Sequence, residues 1–173
     1  MSDPQYPIGR FQAPASYDAA GREAAIRHIE ELPRLVRVAV QGLTPAQLDT
    51  PYRDGGWTVR QVVHHLADSH LNAFTRFKLA LTEDVPTIKP YNEKRWAELP
   101  DTALDPDASL LILDGLHRRW STLLRSMDAA AFGRTLRHPE SGVNVLDRML
   151  ALYSWHGRHH VAHITGLRER KSW

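Results

Sequence analysis

The sequence predicts an all-α protein, a four-helix bundle with a non-helical N-terminal arm and long inter-helix loops. Two observations carry this. Four long stretches repeat apolar residues at helical spacing, and apart from Pro33 the prolines fall outside them. Little of the remainder alternates as a strand would. With 173 residues, 42% of them hydrophobic and 24% charged, residues 1–173 read as a single domain large enough to bury a core.

The first 17 residues hold three prolines and one glycine and read as an extended arm. Ser16 or Asp18 can cap the first helix. That helix runs through AAIRHIEELPRLVRVAVQGL, with Ile26, Ile29, Leu32, Leu35, Val36, Ala39 and Val40 at helical spacing. Pro33 lies inside it and predicts a kink or a break. Gly42 ends it, and Thr44-Pro45 opens a short second start. TPYRDGGW is a turn-rich connection. Thr58 then caps the second long helix, TVRQVVHHLADSHLNAFTRFKLALTE, which ends before Pro86. Pro86, Pro90 and Pro100 mark an irregular stretch holding one short helical piece, NEKRWAEL. The third long helix starts near Asp107 or Ser109 and runs through SLLILDGLHRRWSTLLRSM. AAAFGRTLRHPESGVN reads as a loop of low periodicity. The last helix is VLDRMLALYSWHGRHHVAHITGLRER.

Composition narrows the function classes. A formal charge of +2 gives a weak field and no basic stripe, which argues against nucleic acid and against an acidic membrane surface. No stretch approaches a transmembrane span, and MSDPQYPIGRF lacks the apolar run of a signal peptide. The chain has no cysteine, so disulfides and thiolate metal ligands are excluded. These features fit a cytoplasmic protein.

The ten histidines are the chemical signal. Seven fall in two helical runs: His64, His65 and His70 in VVHHLADSH, and His156, His159, His160 and His163 in YSWHGRHHVAHIT. Imidazoles at i and i+4 share a helix face and can share a divalent ion. On the last helix, Leu146, Leu150, Tyr153, Ile164 and Leu167 set the apolar direction. His160 lies closest to it and His156 next, with His159 and His163 further out as flanking, outer or solvated residues. On the second helix, Val62, Leu66, Ala73 and Phe77 set the direction. His70 points along it, His65 lies off it and His64 almost opposite, so periodicity nominates His70. Three protein ligands and an open position are the catalytic zinc pattern. His28, His117 and His138 stand apart and read as structural. Trp57, Trp120 and Trp155 read as core, and Arg118-Arg119 and Arg168-Glu169-Arg170-Lys171 as solvated faces.

YPIGRF, LDTPYRDGGWTVRQVVHHLADSH, RFKLALTE, KPYNEKRW and YSWHGRHHVAHIT together resemble the DinB superfamily, in its YfiT-like branch of metal-dependent hydrolases. The likeness runs from about residue 6 to 165. It implies a four-helix bundle with a three-histidine centre for one zinc or nickel ion per chain. By this resemblance the ligands are His65, which precedes Leu66, and the H-x-x-x-H pair His156 and His160, with His64 and His70 as alternatives to His65. A homodimer is also implied.

The branch is similar to bacillithiol S-transferases, and more distantly to thiol-dependent isomerases. The implied reaction joins a low-molecular-weight thiol, held as a metal-bound thiolate, to an electrophile. Tyr91, Arg95 and Trp96 of the Pro86–Pro100 roof would lie near the electrophile. Arg53 and Asp54 would orient the thiol or simply shape the turn. Asp68 would accept from a ligand imidazole or form a surface salt bridge. One alternative is a hydrolase that activates water with the same ion. Another is a stress-related bundle with a structural metal. In either enzyme reading the catalytic group is the water or thiol on the ion, not a side chain.

Overall fold

A computed structural model describes residues 3–173. In chain order the helices are α1 (Ala19–Val40), α2 (Pro45–Leu48), α3 (Val59–Thr82), α4 (Glu93–Trp96), α5 (Asp107–Arg125), α6 (Ala129–Phe132) and α7 (Leu146–Lys171). A single 3-10 turn spans Pro100–Ala103, and two strands, β1 (Thr135–His138) and β2 (Gly142–Val145), precede α7. The four long helices form the expected bundle. α1 packs on α5 and α7, and α3 packs on the same two. Consecutive long helices α1 and α3 thus lie across the bundle from each other, which a tight turn could not achieve. None of the helices among the described residues is long and apolar enough to cross a membrane.

Local chemistry sets the helix starts. Asp18, not Ser16, caps α1, its carboxylate accepting from the Gly21 amide at 2.7 Å. Thr58 and Gln61 form a reciprocal capping box on α3. Arg22 grips Asp147 through two 2.7 Å hydrogen bonds, tying the start of α1 to the first turn of α7. Gly157 allows α1 and α7 to approach closely, since a Cβ there would meet Leu32 Cδ2 at 2.7 Å.

Pro33 does not break α1, which is continuous through it. A proline cannot donate to the carbonyl four residues back, here that of Ile29. His117 of α5 supplies the missing donor, its Nδ1 lying 2.6 Å from the Ile29 oxygen. The residue pair therefore converts a helix defect into an interhelical tie, which gives His117 the structural role expected of it.

The stretch expected to be a loop carries α6 and an antiparallel hairpin pairing Thr135 with Val145 and His138 with Gly142. Each strand has four residues and one buried side chain, Leu136 or Asn144, too few for alternation to register. Gly142, at φ 75°, takes the left-handed conformation that the reversal needs. The hairpin holds the irregular stretch in place, for Arg137 exchanges backbone hydrogen bonds with Pro86 and Ile88 at 2.9 and 3.0 Å.

Two apolar clusters fill the bundle. One gathers Ile29, Phe77, Trp120 and Leu150; the other gathers Leu32, Leu66, Leu113 and Ile164. Along each long helix one cluster stops where the other begins, and His70, His156, His159, His160 and His163 lie between them.

His117→Phe keeps the ring's volume but orphans the buried Ile29 carbonyl, and should cost about 1–3 kcal/mol. In a Pro33→Ala background the restored backbone amide at position 33 can donate to that carbonyl, and the penalty should shrink. Urea unfolding of the four proteins of this cycle checks it; an equal cost of His117→Phe in both backgrounds would disprove the role.

Candidate metal centre

The site is assembled where α3 and α7 meet under the turn between α2 and α3. That turn is closed by paired Pro51 and Thr58 and by the Tyr52 amide donating to the Trp57 carbonyl at 3.0 Å. It carries Trp57 to within 4.5 Å of the His65 ring and stacks Tyr52 on His163 at 3.9 Å between centroids. Gly56 is required here, because a Cβ would press on Arg53 Cγ at 2.8 Å. Arg170 holds the turn from α7, donating to the Tyr52 carbonyl at 2.7 Å.

His65, His156 and His160 each offer a ring nitrogen to a group whose atoms all lie within 4.8 Å of one another. The Nε2 atoms of His65 and His156 are 3.2 Å apart. Two imidazole nitrogens on one tetrahedral zinc at ~2.0–2.1 Å sit roughly 3.3 Å apart, so this spacing suits a shared ion. No fourth His, Cys, Asp or Glu among the described residues joins the group. The other ring nitrogen of each α7 histidine faces a further histidine. His156 Nδ1 lies 3.2 Å from His70 Nε2, and His160 Nδ1 lies 3.3 Å from His163 Nδ1. His163 Nε2 in turn lies 3.2 Å from the Gln5 carbonyl.

This belt is neutral at ordinary pH. Burial lowers His65 to about 4, and lowers His70, His156 and His160 well below the usual range, with neighbouring histidines adding to the effect in those three. Burial likewise lowers His117, His159 and His163 to about 4. Neutral imidazole is the form that binds a metal, so no proton need be expelled near pH 7.

His70 is fully buried, as the helix wheel indicates, but lies behind His156 instead of joining the group. His64 is also buried, contrary to its position on the wheel, because α5 and its approach cover that face of α3. Its ring meets Ser109 Oγ at 2.7 Å and the Leu104 carbonyl at 3.1 Å. His159 and His163 are buried, not solvated, since the arm and the 52–57 turn cover α7 there. Asp68 makes no hydrogen bond to a histidine; burial, then Asp101, pushes its carboxyl up to about 6. His28 meets Ser154 Oγ at 2.9 Å, and His138 Nδ1 accepts from the Glu140 amide. Trp120 is core, but Trp57 and Trp155 are half-buried and line a cavity. Arg168 is no solvated face either, as it donates to the Ala39 and Gln41 carbonyls at the end of α1.

Two cavities flank the group. The larger, about 670 Å³, opens over His65, His156 and His160 and is lined by Tyr6, Arg53 and Trp57 among others. The second, about 610 Å³, is lined by Ser69, Arg76, Tyr91, His138 and Tyr153. They share His156, Glu93 and Lys94 as a common wall. Tyr91 lines the second cavity and Arg53 the first, whereas Asp54, Arg95 and Trp96 line neither. The α4 turn presents Glu93 and Lys94 to the site instead. The sequence marks the short helical piece, but only proximity in space identifies Glu93 and Lys94 as its side chains at the site.

Comparison with known proteins gives the family. A model of the DinB superfamily matches residues 28–164. The chain belongs to the DinB superfamily. Among its relatives, a Bacillus mycoides protein named "Putative metal-dependent hydrolase" is 54% identical over 173 residues, covering all of both chains. A Bacillus cereus protein of the same name is 53% identical over the same span. The solved structure of YfiT from Bacillus subtilis, described as a probable metal-dependent hydrolase with an unusual four-helix bundle topology, superposes with a TM-score of 0.95. It is 49% identical, with 98% of each chain covered. A mycothiol-dependent maleylpyruvate isomerase shares the fold at 15% identity and a TM-score of 0.66, over 83% of this chain and 60% of that one.

The depressed histidines make stability depend on pH. Above about 6.5 they are neutral whether the chain is folded or not. As pH falls from 6.5 toward 4, the unfolded chain binds protons that the folded chain refuses, so stability is lost across that window. For buried His117 alone the loss approaches about 3 kcal/mol. Urea midpoints of chelator-treated protein should fall steadily between these pH values; a flat profile would contradict a neutral buried belt.

Proposed function

We propose that the protein is a metal-dependent thiol S-transferase in which His65, His156 and His160 hold one divalent ion, zinc or nickel. A divalent ion there lowers the pKa of the thiol or water that occupies its open position, about 8.5 for a free thiol. The observation that carries the two-substrate reading is the pair of cavities meeting at His156, Glu93 and Lys94. A hydrolase joins water to one substrate and needs one such chamber, whereas a transferase must seat a thiol and an electrophile side by side. A small bacillithiol-like thiol fits the chamber over the three histidines, where Arg53 and Lys94 present cations to its polar groups and Trp57 shields the reacting end from water. The electrophile fits the chamber of Tyr91, Arg76 and Tyr153. Among the described residues Arg76 donates only to the Tyr153 hydroxyl, at 3.4 Å, and meets no carboxylate, which suits it to a polar substrate group.

The hydrolase reading has the names of the relatives in its favour. It uses the same three histidines. A structural zinc site would be closed by a fourth protein ligand, and the group has three. A cytoplasmic homodimer acting on small molecules, without nucleic acid or membrane, completes the reading.

Protein purified without a histidine tag should carry one ion per chain by elemental analysis. Loss of free thiol should require both the metal and an electrophile from a panel. Metal-dependent cleavage of an ester or amide with no thiol consumed would replace this reading with the hydrolase. His160→Ala should abolish stoichiometric metal uptake while leaving the helical circular dichroism intact; full uptake in that variant would refute the ligand set. His70→Phe removes the acceptor behind His156 and should weaken zinc binding by roughly 10- to 100-fold in a competition titration. Unchanged affinity would show that His70 does not orient His156.

A further inference from the structure

We infer, given the ligand set proposed above, that His163 is a positioning residue that couples occupancy of the three-histidine centre to docking of the N-terminal arm, and so to the shape of the cavity above it.

Ring protons have few places to sit in this layer. A neutral imidazole has one N–H and one lone pair. His160 Nδ1 faces His163 Nδ1 at 3.3 Å, which leaves Nε2 as the atom free to join His65 and His156. An ion on His160 Nε2 obliges Nδ1 to carry the proton and to donate it to His163. His163 Nδ1 must then be the acceptor, which places the His163 proton on Nε2. That atom lies 3.2 Å from the Gln5 carbonyl and donates to it. Every position in the series is thereby determined. Without the ion His160 can adopt the other tautomer, its Nδ1 can accept, and His163 can point its proton inward, which leaves the Gln5 carbonyl facing a lone pair.

The arm has little else of this kind to hold it. Among the described residues, the His163–Gln5 contact is the one hydrogen bond from the arm to the helical body; the others of the arm are internal, such as Gly9 to Tyr6. Its other ring contacts are looser, with Tyr6 6.1 Å from His159, Phe11 5.9 Å from Trp155 between centroids, and the Arg148 guanidinium 5.7 Å over the Phe11 ring. Yet Gln5 and Tyr6 line the cavity over the three histidines. The group that reads the state of the centre also holds the wall of the chamber where a substrate would sit. Tyr52, stacked on His163 at 15° between planes, keeps the ring in the orientation that serves both contacts. By reciprocity, whatever docks the arm also tightens the centre's hold on its ion.

The test uses the full-length protein, stripped with a chelator and titrated with zinc chloride alone. Three quantities are read: zinc per chain, hydrogen exchange of amides in residues 5–12, and the His163 tautomer from long-range ¹H–¹⁵N correlations. Zinc should slow arm exchange by roughly 2- to 10-fold, the range one added neutral hydrogen bond supplies. The zinc-loaded protein should show His163 protonated on Nε2. His163→Phe keeps the stack on Tyr52 and should still load zinc at saturating concentration, but with arm exchange no longer responding to it. His163→Gln, which can accept and donate in the same directions, should restore part of the response. One zinc per chain with unchanged arm exchange, or with His163 protonated on Nδ1, overturns the coupling and leaves the metal centre standing. Undiminished arm protection in His163→Phe overturns the assignment to His163. Failure of the wild-type chain to load zinc removes the ligand set and the coupling together. Should His163→Phe not fold, the wild-type tautomer and exchange data decide alone.

Discussion

Everything distinctive in this bundle follows from burying a belt of imidazoles at the junction of two apolar clusters. A buried histidine is costly when charged and needs a partner when neutral. The belt keeps its rings neutral and pairs several of them with one another or with backbone carbonyls, although His70 Nδ1, His117 Nε2 and His159 Nδ1 are buried with no partner among the described residues. His117 meets the Ile29 carbonyl left free by Pro33, His156 meets His70, and His160 meets His163. The bundle is therefore not a uniform oily core with a site cut into it. Its two apolar clusters clamp a polar layer whose directions are set ring by ring.

That layer explains why the connecting segments are elaborate. Four helices alone would leave the upper face of the histidines open to water. Three irregular pieces close it: the arm, the Pro51–Thr58 turn, and the stretch from Pro86 to Trp96. Each is anchored by a contact far away in sequence. Arg170 grips the turn, the β1–β2 hairpin grips Pro86 and Ile88, and His163 meets the arm. The loops are long because they form the chamber walls, and strands as short as β1 and β2 suffice because their task is to pin one of those walls.

Much of this was legible in the sequence, and the failures have physical causes. Helical periodicity places the four long helices, and on α7 it ranks His160 and His156 closest to the core. On α3 it points to His70, while the group that assembles contains His65. A helix wheel averages over one apolar direction, but α3 has two, one for each cluster, and His65 lies on the flank that faces α7. The same averaging misplaces His64, which a single wheel exposes and the packing of α5 covers. Pro33 reads as a break because the rule concerns one helix in isolation; the compensating donor, His117, sits 84 positions later in the chain. The arm's contact with His163 has no local sequence signal, since any residue could supply the carbonyl of Gln5.

The character of the outer partners bears on the chemistry. A histidine that binds a metal commonly donates its second N–H to a carboxylate, which makes the ligand more basic. Here the partners behind His156 and His160 are imidazoles, and Asp68, the acid nearest His65 and His70 in sequence, makes no hydrogen bond to a histidine. Three neutral ligands, two of them backed by neutral imidazoles, would leave a divalent ion held there with nearly its full charge. An ion so held would withdraw electrons from a thiol or water bound to it and favour the deprotonated form. The same neutrality that lets the belt be buried also suits it to activating a nucleophile, so the constraint that shapes the fold and the chemistry proposed for the site have one origin.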